Sequence, residues 1–234
     1  MKCFKILSAV ILTQIFSYSC FADEVYNHPL TSLESLQKNS VNASVVTYKG
    51  FKAIHATVLT NHKSIEDGGC DNCTYLSLTD VIFSNGTIEV DVAGKPQEGA
   101  PAWAKGFIGV IFRANTKEQH YEGVYLRPVN AELDNQLMRN HSVQYFSYPN
   151  FEWKRLRDEF PGHYETYAPL KSGEWTHMKI EVKDEEMKLY INYSESPSFI
   201  VTDLKLGKDQ IGTVGLLTGV GSDAYFKNLT ITHK

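Results

Sequence analysis

Between Asn140 and Tyr167 the sequence NHSVQYFSYPNFEWKRLRDEFPGHYETY sets eight aromatic side chains among Gln, Asn, Arg and Glu, with almost no aliphatics. A core strand draws on Val and Ile, and a solvated loop on Gly, Ser and Asp. This stretch fits neither, and reads as a surface that uses flat rings and planar hydrogen-bonding groups together. Just upstream, YEGVYLRP alternates so that Tyr121, Gly123, Tyr125 and Arg127 share one face while Val124 and Leu126 take the other, core-facing side. An unpaired guanidinium is costly in an apolar-patterned strand. Arg127 is therefore expected to meet a buried acid or a ligand, with Asp134 and Glu165 as the acids to test. In HSVQYF, His141, Val143 and Tyr145 alternate with Ser142, Gln144 and Phe146, and the pattern does not say which set faces inward.

The elements that must position these groups read as strands. SVVTYKGFKAIHATVL has Gly50 between two β-rich runs and predicts a hairpin. VIFSNGTIEVDV, with Asn85-Gly86 between apolar runs, predicts another. GFIGVIFR is apolar on both alternation faces, as a strand covered on both sides would be. EWTHMKIEVKDEEMKLYIN alternates through both arms of a further hairpin, and IGTVGLLTGVGSDAYFKNLTI supplies two closing strands. Helical periodicity is confined to one turn-rich piece at Leu30, Leu33 and Leu36 and another from Glu132 to Met138. Many short strands separated by turn residues predict an all-β sandwich or jelly roll.

Composition narrows the setting. MKCFKILSAVILTQIFSYSCFADE has a basic start, an apolar run too short to span a membrane, and small residues before Asp23. Residues 1–22 read as a secretory signal peptide, which places the protein in the periplasm or outside the cell. Residues 23–44 read as an N-terminal segment and residues 45–234 as one domain. Without Lys2 and Lys5 the chain keeps 21 basic and 27 acidic residues, so its formal charge moves from −4 to −6. That balance, with no Lys/Arg block, does not suit nucleic acid. No other long apolar stretch predicts a membrane span, and the oligomeric state is not legible. Cys70 and Cys73 in GGCDNC are expected to form a structural disulfide in an oxidising compartment. Asp67, Asp71 and Asp223 lie in Gly-rich loops that could hold a structural Ca²⁺, although isolated loop acids are more often solvated. No cofactor is expected, and no His spacing suits zinc.

One resemblance adds to this reading. Trp175, Leu189-Tyr190-Ile191-Asn192, Gly212, Gly215-Leu216 and Ala224-Tyr225-Phe226 fall in an order similar to the C-terminal half of concanavalin A-like lectin/glucanase domains. More narrowly, the chain resembles the bacterial 3-keto-disaccharide hydrolase family, over roughly Val45 to Ile231. The resemblance implies a jelly-roll sandwich of two antiparallel sheets, one concave, with sugar sites on the concave face or its rim. Rings would cover the apolar faces of a sugar while Arg, Asn and Gln bond its hydroxyls. The leading expectation is a carbohydrate ligand bound by Tyr125, Arg127, Asn130, Arg139, Asn140, Gln144, Trp153 and Arg157. The alternatives are a glycoside hydrolase of the family's type and a laminin-G-like adhesion domain. Hydrolysis would call for paired carboxyl groups about 5–10 Å apart. Asp134, Glu165 and His163 are the candidate acid–base groups, with Glu159 and His141 nearby in sequence, but no spacing singles out a pair. The glucanase acid motif has only an incomplete match at Glu132-Leu133-Asp134.

Overall fold

The computed structural model describes residues 24–60, 73–115, 117 and 120–234; the expected signal peptide, Cys70, Asp67 and Asp71 lie outside them. Strands β3 (Val41–Tyr48) and β4 (Phe51–Val58) form the first expected hairpin, with Lys49 and Gly50 both at positive φ in its turn. Positive φ at both central residues matches the right-handed twist of the flanking strands. Strands β11 (Thr176–Lys183) and β12 (Glu186–Ile191) form another, with Met178, Ile180 and Val182 buried and Lys179 and Glu181 outward.

Beside these hairpins lie β6 (Gly86–Pro96), β13 (Phe199–Val201), β15 (Ser222–His233) and β1 (Val25–His28). Together they make an eight-stranded antiparallel sheet in the order β13-β12-β11-β6-β15-β4-β3, with β1 also paired to β15. The second sheet, seven-stranded and antiparallel, runs β10 (Glu165–Thr166), β9 (Val143–Tyr148), β8 (His120–Leu126), β7 (Ile108–Asn115), β14 (Thr213–Thr218), β5 (Tyr75–Leu78) and β2 (Leu36–Asn39). The two sheets stack on one apolar core. Ile88, Val90, Met178, Ile180 and Phe226 meet Val110, Phe112, Val124, Leu126, Val143 and Tyr145, all fully enclosed. The boundary expected at residue 45 falls inside β3, and the preceding segment contributes β1 and β2 to opposite sheets.

Several local expectations change. Asn85-Gly86 does not join two strands: Phe83 forms a single bridge to Gly212, and β6 starts at Gly86. The Asn85 side-chain oxygen instead accepts from Arg113 Nη2 at 3.1 Å and from the Asp184 N–H at 2.8 Å. Leu36 opens β2 rather than ending a helix, and Leu30 is buried at φ 59°. The helical piece near Glu132 is two short helices, α1 (Pro128–Glu132) and α2 (Gln136–Asn140), with the Asn135 side chain capping α2 through Met138 N. α3 (Trp153–Glu159) emerges within the aromatic stretch and carries the i,i+4 pairs Lys154–Asp158 and Arg155–Glu159 on its exposed side.

The core also contains charge. Glu122 and Arg113 are both fully enclosed, with Arg113 Nη1 3.6 Å from Glu122 Oε2. Glu122 Oε1 accepts from the Tyr145 hydroxyl at 2.7 Å and from Leu206 N at 3.1 Å. Arg113 donates to the carbonyls of Ser84, Asp184 and Gly207. Burial raises the Glu122 pKa against these bonds and the Arg113 charge. One β8 position shows how tightly the other face is built. A Cβ on Gly123 would lie 2.7 Å from the Phe146 ring and 2.8 Å from the Val110 carbonyl oxygen. Gly123→Ala should therefore destabilise the protein by roughly 1–3 kcal/mol through overpacking. Urea denaturation followed by tryptophan fluorescence checks this, and an unchanged midpoint would contradict the packing described.

Candidate functional site

The face of the seven-stranded sheet that points away from the core is aromatic. Tyr75, Ile111, Tyr121, Tyr125 and Phe146 occupy it, each at most 4% exposed. Tyr121 stands edge-on to Tyr75 and Phe146 and stacks on Tyr148 at 5.3 Å between centroids. The alternation left open in HSVQYF is settled by pairing: Gln144, Phe146 and Tyr148 join this face, while Val143 and Tyr145 enter the core. An open groove at Tyr125 was the expectation. The structure fills that position with rings, because Gly109 and Gly123 leave room for Tyr125 and Phe146 to lie over the neighbouring strands.

Residues directly across an antiparallel ladder share a face. The pairs Glu165↔Gln144 and Gln144↔Tyr125 therefore form one row along this outer face. Arg127 stands at its end, just after β8, as the N-cap position of α1. Its guanidinium lies over the Tyr125 ring at 4.8 Å from the centroid. It donates to the Tyr125 hydroxyl at 2.6 Å, the His141 carbonyl at 2.9 Å and Gln144 Oε1 at 3.5 Å. Gln144 is held from its other end by the Tyr145 and Tyr164 carbonyls. Neither Asp134 nor Glu165 pairs with Arg127, whose partners are all neutral acceptors. Burial and the neighbouring positive charge of Arg157 lower its pKa, but arginine stays protonated in proteins. Tyr125, Arg127 and Gln144, only 3%, 6% and 0% exposed, thus form an enclosed layer beneath the edge.

The reachable groups lie at that edge. Glu165 is gripped by Arg157, with Nη2 2.7 Å from Oε2 and Nε 3.2 Å from Oε1. Glu165 Oε2 also lies 2.7 Å from His141 Nδ1. Arg157 projects from α3 with its guanidinium over the Trp153 ring at 5.0 Å. Arg139 lies over the Tyr167 ring at 4.7 Å and donates to its hydroxyl at 2.8 Å. The contacts form a ladder: His141 meets Glu165, and Arg139, two residues earlier, meets Tyr167, two residues later. Arg157 keeps 30% of its side chain in solvent and His141 13%. Trp153, Arg139 and Tyr167 are half-buried.

The other expected site residues are dispersed. Asn130 is buried and donates to the His141 carbonyl, while its own side-chain oxygen has no partner. Asn140 is exposed and accepts from Gln136 Nε2. Asp134 is exposed on the link between α1 and α2, and His163 is exposed, with Nδ1 3.4 Å from the Pro161 carbonyl. Neither joins Glu165, so the expected acid–base set does not assemble; His141 takes the place beside Glu165 instead. Tyr167 is the site residue that sequence reasoning missed. Its only signal was two-residue spacing from Glu165, which means nothing until β10 is known to be a strand. Among the described residues no group of three or more His, Cys, Asp and Glu side chains is placed to hold a metal. Asp223, one of the loop acids considered for calcium, pairs with His55 at 2.8 Å.

Two stacked antiparallel sheets with this connectivity define a concanavalin A-like lectin/glucanase sandwich. Solved structures with the same fold include a Bacillus subtilis protein of unknown function with a galectin-like fold (12% identity, TM-score 0.56, covering 89% of this chain and 94% of that one). Bacillus licheniformis β-glucanase (11% identity, TM-score 0.51, 90% and 98%) and peanut lectin (12% identity, TM-score 0.50, 90% and 97%) are similar in the same way. Residues 39–232 match the model of the 3-keto-alpha-glucoside-1,2-lyase-like domain, the 3-keto-disaccharide hydrolase family, and the chain belongs to that family. No curated protein sequence matches it. The family and fold are those of sugar-binding and glycosidase proteins.

Burial first, and then the Arg157 charge, hold the His141 pKa below the ordinary imidazole value, against the upward pull of Glu165. Folding therefore favours the neutral ring. That contribution is present above the unfolded value near 6.5 and is lost as pH falls through the lower folded value. Arg157→Gln should move the His141 pKa up, because a repelling cation goes and Glu165 loses its strongest competitor. Histidine-selective NMR titration reads the shift directly; an unchanged or lower value would contradict this electrostatic account.

Proposed function

We propose that this protein binds a carbohydrate at the edge formed by His141, Glu165, Arg157, Trp153, Arg139 and Tyr167. The observation that carries the reading is the convergence there of two ring–guanidinium stacks, partly open to solvent, with a histidine–carboxylate pair whose His141 is also partly open and whose Glu165 is buried. Rings suit the C–H faces of a sugar, and planar guanidinium and imidazole groups suit its hydroxyls. Membership of a sugar-handling family supports the same class of ligand. Arg127 and Tyr125 act from beneath, holding the His141 carbonyl and Gln144 in place. The leader-like start supports an exported protein working in the periplasm or outside the cell, where Cys70 and Cys73 pair.

The His141–Glu165 contact favours a second reading as an enzyme. Glu165 Oε2 lies 2.7 Å from Nδ1 without hydrogen-bond alignment; its charge favours the tautomer with the proton on Nδ1, which leaves Nε2 of a neutral imidazole as the basic atom. A 1,2-elimination from a 3-keto-glucoside needs one base rather than two carboxyl groups. The C2–H bond, acidified by the C3 ketone, breaks; its proton goes to His141 Nε2; its electron pair forms the C1=C2 double bond; and the glycosidic oxygen leaves with the C1–O pair. The two-carboxyl hydrolase mechanism has less support, since Glu165 is held by Arg157 and Asp134 stands apart.

Calorimetric titration against a glycan panel tests the binding reading. Trp153→Ala and His141→Ala should each weaken binding about tenfold or more with the thermal unfolding curve preserved; undiminished binding in both variants would refute this location. Wild-type turnover of a 3-keto-α-glucoside that vanishes in His141→Gln would establish the second reading. Arg127→Met should instead lower stability by roughly 2–4 kcal/mol, since it removes a buried charged donor from the Tyr125 hydroxyl, the His141 carbonyl and Gln144 Oε1. Thiol titration of unreduced, denatured mature protein should find no free thiol, and two reactive thiols would rule out the Cys70–Cys73 bridge.

A further inference from the structure

We propose that the sugar taken at this edge carries a carboxylate, a uronic acid rather than a neutral hexose; the proposal rests on the carbohydrate-binding reading above. Three guanidinium groups belong to this edge against one carboxylate, Glu165: Arg157 pairs with it, Arg127 lies beneath within reach of its charge, and Arg139 bonds Tyr167, two residues further along the chain. That leaves a surplus of two positive charges (three minus one) in a chain whose formal net charge is −4. Such concentration against the overall sign needs a cause, because like charges brought together and partly withdrawn from water raise the energy of the folded state.

The partners of each arginine identify where the surplus lies. Arg157 spends Nε and Nη2 on Glu165. Arg127, sealed beneath, bonds a phenol, a carbonyl and an amide oxygen, all uncharged. Among the described residues, Arg139 bonds only the Tyr167 hydroxyl, through Nη2. Among the described residues, Arg157 Nη1 and Arg139 Nε and Nη1 have no protein acceptor, and guanidinium has five N–H donors in a fixed fork. A carboxylate is the anion whose planar geometry matches that fork. His141, kept neutral by its surroundings, adds no charge, and Nε2 can bond a ring hydroxyl. The Trp153 and Tyr167 rings beside the two arginines favour a sugar carboxylate over a bare inorganic anion.

Titration calorimetry with galacturonate, glucuronate and mannuronate oligomers, each beside the same oligomer with its carboxyl groups reduced, tests this directly. At least one uronate should bind about tenfold or more tightly than its reduced twin, and the preference should shrink as salt rises. Arg139→Gln should weaken uronate binding far more than binding of the reduced oligomer, so that most of the preference disappears, with a thermal melt confirming the fold. Should that variant not fold, the salt dependence of the wild-type preference supplies the same reading. Equal or tighter binding of the reduced oligomers would overturn the acidic-sugar proposal and leave the carbohydrate site standing. No binding of any oligomer would overturn both. Inorganic phosphate binding as tightly as the uronate would also overturn the proposal, because the site would then recognise charge without sugar.

Discussion

The register of β9 between β8 and β10 is the constraint on which the candidate site depends. It places Glu165, Gln144 and Tyr125 in one row on the outer face of the seven-stranded sheet. A slip of β9 by one residue would turn Gln144 into the core and bring Val143 and Tyr145 out. The apolar side of the same strands prevents that slip, because Val124, Leu126, Val143 and Tyr145 are fully enclosed between the sheets. Hydrophobic burial on one face thus specifies the polar geometry on the other. The glycines at 109 and 123 then let rings lie flat across the strands.

Arg127 converts this register into a local arrangement. By bonding Tyr125, Gln144 and the His141 carbonyl together, it ties the end of β8 to the turn that enters β9. That turn presents His141 to Glu165. The buried Arg113–Glu122 pair is a contrasting solution in the same fold. There the guanidinium faces a carboxylate, and backbone groups complete the shell. Arg127 has the backbone and side-chain acceptors without a carboxylate of its own. One buried arginine is therefore neutralised within the core, and the other leaves its charge felt at the edge.

Much of the fold was legible because its cause is periodic. Alternation in β11 and β12, the Lys49-Gly50 turn and the apolar run of β7 all carried through. The Asn85-Gly86 turn misled because Asn85 is needed as an acceptor for Arg113 and Asp184, a tertiary demand that local propensity does not contain. α3 was hidden because its aromatic and charged residues have no clear apolar stripe; only Leu156 is buried. At the site, the shared face of Tyr125 and Arg127 followed from period-two spacing. Their enclosure did not, since it depends on rings brought by β9 and by Phe107 just before β7. The pairing of His141 with Glu165 lies 24 residues apart in sequence, and it exists only through the β9–β10 ladder and the short helix before it.

The proposed ligand would lie where His141 and Glu165 meet, beside Trp153 and Tyr167. Backbone and histidine NMR shifts recorded while a binding oligosaccharide is titrated in would locate it without any substitution. The account predicts that the largest perturbations fall on residues 139–144, 153–157 and 165–167, with the His141 ring among them. Perturbations confined to the outer face of the eight-stranded sheet, with residues 139–144 and 165–167 unmoved, would contradict it.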